Sequence, residues 1–429
     1  MAERVLALVF SIFVGAWVAR FLGPAEFGVL GTALAIVAFV GVIPHLGMDR
    51  ILIRELVENP EDEGVLLGTA GILMLVAGLG SFLLTVGIVL FFPMSQEMGW
   101  AILLISSWFF GAPAHVVRTW FEGNFHGRRD AIAGILGLLI GAGLRVWMIV
   151  TGQPMWVFAA AIGAEVFLAA VMRTLFFFLA GGSFKGWRFD KKRAGMLIRE
   201  SAPQIFGLIA LMIYLRIDTL MLKVMVGDET AGIYAAGARL AEGLYFIPAV
   251  MGAALMPSLL MARKSNRAVY LRRLESYFKL NAAMGYGFAI AGTLLAPVIV
   301  GVLFGPEYSA TVGVLMLTVW AAVPYFVGYV RQETFVAEGL VKLNLVMTLI
   351  GAVSNIGLNF LLIPLWAEKG AAAATLISYT FAGVGGAFFF REARPIAAMA
   401  VRALIWPVPT LRGLGQKEVP PPSPELAAP

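Results

Sequence analysis

The chain has 429 residues, of which 60% are hydrophobic and 14% charged, and its mean hydropathy is +0.87. Soluble domains average about 25% charged residues, so this composition excludes a water-soluble enzyme or nucleic-acid-binding protein and predicts a helical membrane protein. The absence of cysteine excludes disulfides and thiolate chemistry, and the net charge of +6 fits the excess of Lys and Arg that cytoplasmic loops carry.

Long apolar runs separated by short loops predict twelve transmembrane helices. Their predicted bounds are 4–20, 27–47, 66–92, 99–120, 131–151, 155–179, 202–226, 232–260, 277–304, 310–330, 342–366 and 371–390. The next segment, 393–406, carries Arg394 and Arg402 beside apolar residues and is predicted to be an interfacial helix. From Leu414 onward the chain is rich in proline, and we expect it to be disordered.

Positive charge follows every second helix. The loops after helices two, four, six, eight, ten and twelve contain Arg50 and Arg54, Arg128 and Arg129, Lys185 to Arg193, Arg263 to Arg273, Lys342, and Arg391 and Arg394. The alternate loops Phe92–Gly99, Thr151–Pro154 and Gly305–Ser309 carry no Lys or Arg. This asymmetry predicts a multi-pass protein of the bacterial inner membrane with both termini in the cytoplasm.

The longest inner loop separates two sets of six helices. We predict an N-terminal lobe at 1–181, a cytoplasmic linker at 182–196, a C-terminal lobe at 197–391, and an interfacial helix with a proline-rich tail at 392–429. A shift of 204 residues places Leu22–Pro44 on Val226–Pro248, so that Gly28 meets Gly232 and both segments end in Ile-Pro. The predicted fold is therefore all-α, with about twelve spans in two pseudo-symmetric six-helix lobes and a substrate site between them.

Several predicted spans contain charges. Arg145, Arg216 and Arg239 fall in the outer halves of helices five, seven and eight, and Glu165 and Asp218 lie in helices six and seven. A charge at the bilayer centre costs about 2.5–3.5 kcal/mol, so each is expected to face a cavity or a partner. Two interpretations stay open: a hydrated cationic cavity, or neutralisation of the arginines by acids within the bundle.

Four more arginines lie near the membrane faces, namely Arg20, Arg50, Arg54 and Arg118. Their positions fit substrate contact, snorkelling or structural pairing equally well.

Outer loops are too short to hold a soluble catalytic domain. His45, His115 and His126 are not spaced as metal ligands, and no glycine-rich phosphate-binding motif is present. We therefore predict a transporter without cofactors rather than an enzyme, and we expect His115 to occupy a packed or hydrated helix position.

The stretch Ala19-Arg20-Phe21-Leu22-Gly23-Pro24-Ala25-Glu26-Phe27-Gly28 resembles the polysaccharide transporter family, which includes O-antigen-type oligosaccharide flippases. Its superfamily also holds multidrug extruders and lipid II flippases. Weaker similarities lie at Leu46–Arg50, Ser201–Pro203, Gly232–Ala236 and Leu303–Tyr308. Many family members have fourteen spans, whereas the region after Arg391 is too short for two more.

The resemblance implies a V-shaped pair of lobes, alternating access, and a polyprenyl-diphosphate-linked oligosaccharide as cargo. It implies that cavity arginines, with Arg145, Arg216 and Arg239 foremost, hold the diphosphate. Glycosyltransferases and a polymerase or ligase of polysaccharide or lipopolysaccharide synthesis would be partners. If transport is driven, we expect a Na⁺ or H⁺ gradient rather than ATP, with the acids within the spans, Asp218 or Glu165, as the coupling group.

Two other functions are compatible with a multi-pass membrane protein. A cation-coupled drug or metabolite antiporter of the same fold would need a cavity dominated by acids, which the arginines disfavour. A membrane-embedded glycosyltransferase, polymerase or ligase would need catalytic residues on a sizeable outer loop, which is not present in the sequence.

Overall fold

The computed structural model describes residues 2–124 and 127–409, with side chains described from Ile12 onward, and every regular element in this part is helical. The first eight α-helices are α1 Ala2–Val40, α2 Val42–His45, α3 Asp49–Glu58, α4 Glu63–Phe91, α5 Gln96–Ser106, α6 His115–Gly123, α7 Gly127–Val150 and α8 Met155–Leu179. The others are α9 Lys191–Met225, α10 Asp228–Glu242, α11 Phe246–Ser265, α12 Arg267–Leu303, α13 Thr311–Ala337, α14 Val341–Gly383 and α15 Arg394–Ile405.

Ten helical segments in the described part of the chain are long and apolar enough to cross a membrane. Two of them join two helices at a kink, where Gly23 interrupts α1 and Ala367 interrupts α14 with a positive φ. Gly23 adopts this conformation without a steric penalty because it has no Cβ, and the following Pro24 has no N–H to continue the ladder. Counting each kinked segment as two spans gives the twelve that the sequence predicts, and the all-α membrane fold is confirmed.

Two predicted helices differ in the structure. Helix seven begins at Lys191 rather than residue 202, because the Asp190 carboxylate caps it by accepting a hydrogen bond from Arg193 N at 2.7 Å. Helix four, predicted as continuous over 99–120, is interrupted by a 3₁₀ segment at Ser107–Ala114. Pro113 in this segment cannot donate to an α-helical ladder, which favours the interruption.

Both copies of the predicted repeat contain a broken helix. The first break lies at Gly41, between α1 and α2, and the second lies at residues 243–245, between α10 and α11. The same shift of 204 residues relates Gly41 to Tyr245. The repeat therefore extends from the sequence to the position of the helix break.

The chain forms two compact units, which comprise residues 2–236 with 302–308 and residues 237–301 with 309–409. The first unit has two apolar cores, one around Ile102, Phe109 and Phe158 and the other around Leu52 and Phe177. The core of the second unit includes Tyr277, Phe278, Phe335 and Met347. The lobe boundaries at 181, 196 and 391 refer to the sequence repeat and stay a prediction.

The inner loop before α9 is fixed to the first unit. Arg188 N donates to Gly64 O at 3.2 Å, and Asp190 N donates to Thr69 Oγ1 at 3.0 Å. A Cβ on Gly68 would lie 2.6 Å from Arg188 N, so a glycine is required where this loop crosses α4. The predicted linker is therefore packed against a helix.

The segment after the last predicted span is helical, as expected. Ala397, Ala400 and Ala403 of α15 are buried in the core of the second unit, whereas Ile405 is 75% exposed. This amphipathic helix fits an interfacial position, which stays a prediction. The predicted disordered tail from Leu414 and the third histidine, His126, lie outside the described residues.

Candidate functional site

Arg145 and Glu165 form an ion pair between α7 and α8. Their side chains are only 20% and 19% exposed. A Cβ on Gly141 would lie 2.5 Å from Glu165 Cδ, so the glycine leaves the space that the carboxylate occupies. The pair joins a residue predicted to bind diphosphate with a residue predicted to couple an ion, and the acid compensates the arginine's charge.

Asp218 is buried in α9, with 2% of its surface exposed. The Tyr234 hydroxyl donates to its Oδ2 at 2.7 Å, which satisfies one of its oxygens within the first unit. Arg216 lies two residues earlier on the same helix and is half-buried. A buried carboxylate with a hydroxyl donor is a chemically suitable ion-coupling group, as the sequence predicts, and its role stays a prediction.

Arg20 is exposed near the kink of α1, and its Nη1 donates to Val302 O at 3.4 Å. It borders a cavity of about 530 Å³ whose other walls are Phe13, Val14, Trp17, Val146, Val302 and Leu303. A cation beside an apolar cavity can contact an anionic group while an apolar chain occupies the rest of the space. Arg239 is also exposed, on α10, one turn before Glu242.

Arg54 lies in a network of acids. Its Nη2 donates to Glu200 Oε2 at 2.7 Å and to Glu55 Oε1 at 3.0 Å, and its Nε is 4.0 Å from Glu58. Arg50, one turn before it, is exposed, and no carboxylate of the described side chains lies within 4.0 Å of it. Arg50 therefore keeps its donors available, whereas Arg54 links α3 to α9.

Arg118 likewise has acidic partners. Its Nε donates to Glu122 Oε1 at 3.1 Å and is 3.9 Å from Asp130 Oδ2. Asp130 also accepts from Arg173 Nε at 2.8 Å. Of the seven predicted substrate arginines, Arg54, Arg118 and Arg145 are thus paired with carboxylates inside the first unit.

A cluster that the sequence did not single out surrounds two histidines. His115 Nε2 lies 2.8 Å from Asp49 Oδ1, and the rings of His115 and His45 are 4.6 Å apart. His45 also stacks on Trp108 at 5.4 Å. The two histidines are 70 residues apart in the sequence and Asp49 begins a different helix, so no sequence spacing indicated that these three side chains meet.

The turns that begin the two repeat copies pack against each other with matching contacts. A Cβ on Gly28 would lie 1.8 Å from Asp228 O, and a Cβ on Gly232 would lie 1.9 Å from Pro24 O. The shift of 204 relates Gly28 to Gly232 and Pro24 to Asp228, so the contact is the same from both sides, as in an isologous interface. The first unit therefore contains a local pseudo-two-fold axis at the predicted outer turns.

The same region holds a residue from the turn after α12. The Tyr308 hydroxyl donates to Ala19 O at 2.8 Å, and its ring meets that of Phe27 edge-on at 6.4 Å. Tyr308 is fully buried. These contacts close the predicted outer end of the first unit.

A family model described as "Polysaccharide biosynthesis protein" matches residues 1–263, more than half of the chain. "Probable flippase AglR" of Haloferax volcanii is 30% identical over 212 residues, which are 47% of this chain and 40% of that protein. The chain thus matches less than half of that relative's length.

Two solved structures are similar along almost the whole chain. An inward-facing multidrug resistance MATE family transporter of the MOP superfamily gives a TM-score of 0.68 at 15% identity, over 92% of this chain and 95% of that chain. Lipid II flippase MurJ, in an inward closed conformation, gives 0.71 at 13% identity, over 94% and 90%. These similarities confirm the fold that the sequence motifs imply.

Proposed function

Because the chain belongs to the polysaccharide biosynthesis protein family, we propose that it is a flippase that moves a polyprenyl-diphosphate-linked oligosaccharide across the bacterial inner membrane. The observation that carries this proposal is the combination of that family with a transporter fold shared by a protein named lipid II flippase. The named relative AglR, a probable flippase, supports a flippase function.

A polar path is needed because the head group is costly to move through hydrocarbon. Each hydroxyl that loses water without a new partner costs on the order of 2–7 kcal/mol, so a multi-sugar head does not cross unaided. A diphosphate adds charges that need cationic donors. The lipid tail would stay in the bilayer while the head follows the arginines.

The arginines divide into two classes in this proposal. Arg20 and Arg50 are exposed and offer donors directly, and Arg239 is exposed on α10. Arg145 is held by Glu165, so diphosphate must compete with that carboxylate for the guanidinium. Such an exchange keeps the arginine oriented between cycles and avoids leaving a buried charge without a partner. Arg54, Arg118 and Arg216 complete the predicted set.

An ion gradient rather than ATP would drive the cycle. Asp218 and Glu165 are the proposed coupling acids, since both are buried or nearly so and each has a donor. Both termini would face the cytoplasm, where glycosyltransferases assemble the cargo, and a polymerase or ligase would receive it on the far side.

Reconstitution with a fluorescent polyprenyl-diphosphate sugar tests the proposal. Wild type should expose the label to a membrane-impermeant quencher, and Arg216→Ala or Arg145→Ala should slow exposure by about tenfold or more, since a charge-assisted hydrogen bond contributes about 1.5–3 kcal/mol. Arg272→Ala, an exposed arginine outside the predicted set, is the matched control. No wild-type exposure of the label would contradict the proposed cargo.

The alternative is a cation-coupled drug or metabolite antiporter, favoured by the fold shared with a multidrug transporter. In that case the reconstituted protein would exchange an organic cation for H⁺ or Na⁺ and leave the lipid-linked sugar on its original side.

A further inference from the structure

Two histidines that are distant in the sequence meet inside the first unit. His45 is the last residue of α2, and His115 is the first residue of α6. Their ring centroids are 4.6 Å apart at an interplanar angle of 64°. The other side of His45 stacks on Trp108, with centroids 5.4 Å apart and planes inclined by 28°. Within predicted membrane spans, such ionisable groups are a functional feature by default.

The side chains of the cluster become less exposed from Asp49 to His115. The Asp49 side chain is 52% exposed, and its Oδ1 lies 2.8 Å from His115 Nε2; the His115 side chain is 17% exposed. Beyond it, His45 Nδ1 is buried and has no hydrogen-bond partner. A proton arriving at Asp49 can therefore pass directly to His115, whereas the His45 ring lies behind it without a hydrogen bond to either residue.

The charged groups around the cluster leave room for one added positive charge. Arg118, from α6, acts electrostatically on the cluster, but Glu122 and Asp130 lie 3.1 and 3.9 Å from its Nε. From α9, Glu200 pairs with Arg54. The acidic residue at the start of α4, Glu63, accepts from Trp120 Nε1 at 2.9 Å. The Asp49 carboxylate is thus the anion that directly faces the rings.

Two protons on the pair would be unfavourable. Unit charges about 4 Å apart repel by about 4 kcal/mol at an effective dielectric constant of 20, and the ring centroids are separated by 4.6 Å. A proton on one ring therefore disfavours a second proton on the other. Among the described side chains no group is arranged to hold a metal ion, which favours H⁺ as the ligand.

Each histidine also lies at a helix interruption. Leu46 and Gly47, directly after His45, have positive φ, and the 3₁₀ segment Ser107–Ala114 ends directly before His115. Interrupted helices have backbone groups outside the regular ladder, so a change of side-chain charge there can shift the local conformation more readily than in a continuous helix.

We propose that His45, His115 and Asp49 form a proton-binding site that takes up one proton in each transport cycle. Water on the Asp49 side supplies the proton; the neutral imidazole pair becomes a single imidazolium stabilised by the Asp49 carboxylate, and release restores the neutral pair. What this proton drives rests on the proposed flippase function, but the binding of the proton does not.

Trp108 provides a direct readout of protonation. A positive charge on His115 lies beside the His45 ring that stacks on Trp108, so purified wild type should show a change in tryptophan fluorescence on acidification as one proton binds. Trp108→Phe and His115→Asn should abolish this pH-dependent component. Trp100→Phe, which removes an exposed tryptophan, should retain it. A wild-type signal that is independent of pH, or one that survives in Trp108→Phe, would overturn the proposal.

Transport gives the second readout. Flipping by wild type should differ several-fold between pH gradients of opposite direction. His115→Asn, whose amide can still donate to Asp49, should show the same rate under both gradients. His115→Gln, a second amide substitution at this position, should behave in the same way. A gradient response retained in folded His115→Asn would contradict the site. If the fluorescence transition is present but no lipid-linked sugar moves in wild type, the proposed cargo fails and the proton site stands.

Discussion

The Arg145–Glu165 pair shows how a charge is held inside the first unit. Neither side chain is more than about a fifth exposed, at 20% and 19%, so each would be costly to leave without the other. Their contact makes the arginine available only to a ligand that can replace the carboxylate. In the resting state, Glu165 therefore compensates the charge of Arg145, and the proposed path does not present a bare cation at this position.

A double-mutant cycle tests that interpretation. Arg145→Ala should lower the free energy of unfolding by about 3–5 kcal/mol because it strands Glu165, and Glu165→Gln should also destabilise. The double variant should lose less stability than the sum of the two single losses. Denaturant unfolding in mild detergent measures all four proteins. Additive losses would mean that the pair is not energetically coupled.

If the double variant folds but does not flip the labelled lipid, Arg145 has a role beyond structure. Full flipping by the folded double variant would remove Arg145 and Glu165 from the proposed path and leave the fold unaffected.

Glu338, at the inner end of α13, predicts a pH dependence of stability. Burial acts to raise its pKa, but the hydrogen bond from Arg267, at 2.7 Å, and the charges of Arg267 and Arg263 outweigh burial and lower the pKa below 4.5. A lowered folded-state pKa contributes stability above the unfolded value, and this contribution is lost as the pH falls through the folded one.

The matched variant is Glu338→Gln. At neutral pH it should be less stable than wild type by up to about 1 kcal/mol, the range for a partly exposed ion pair. The difference in thermal unfolding should shrink as the pH falls below about 4.5, where the unfolded-state carboxyl titrates. A difference that grows on acidification would contradict the assignment.

At the scale of elements, the glycine contact between the two repeat copies leaves no space for a Cβ on either side, since an added Cβ would lie 1.8 or 1.9 Å from a backbone oxygen. Gly28 and Gly232 each approach a backbone carbonyl of the opposite turn. Backbone atoms cannot rotate out of the way as side chains can, so the space available there is fixed. The contact allows the two turns to approach closely at the predicted outer end.

Gly28→Ala should therefore separate the turns. The added methyl group would overlap Asp228 O at 1.8 Å, and overpacking of this kind costs about 1–3 kcal/mol. Gly87→Ala in α4 is the matched control, because nothing lies within 4 Å of its added Cβ and alanine favours a helix interior by about 1 kcal/mol. Thermal unfolding in detergent should rank Gly87→Ala at or above wild type and Gly28→Ala below it; the reverse order would contradict the packing.

At the scale of the whole molecule, the sequence predicts the spans well because their causes are local. Hydrocarbon thickness determines the length of an apolar run, and Gly23-Pro24 marks a turn through backbone geometry alone. The repeat was also visible, since the shift that aligns Gly28 with Gly232 is the shift that relates their contacts.

Partners across helices could not be predicted in the same way. Whether Arg145 faces Glu165 or a cavity depends on the rotation of α7 and α8 about their axes, which an apolar membrane sequence does not determine. The contact of His115 with Asp49 depends on the 3₁₀ segment before α6, which changes the direction of that helix. The candidate residue types were therefore predictable, whereas their pairing was not.

The most direct test of alternating-access flipping uses Gly31 and Ala235, which the shift of 204 also relates. The two residues belong to different predicted lobes, 1–181 and 197–391, so a covalent link between them should prevent these lobes from separating. A Cβ on Gly31 would lie 3.4 Å from Ala235 Cβ, close to the separation of about 3.5–4.5 Å in a disulfide, and the chain has no other cysteine. In proteoliposomes, the Gly31→Cys/Ala235→Cys protein should stop flipping the labelled lipid-linked sugar when oxidised and recover on reduction, while each single variant remains insensitive to oxidation. Equal flipping rates by the cross-linked and reduced protein would contradict the account.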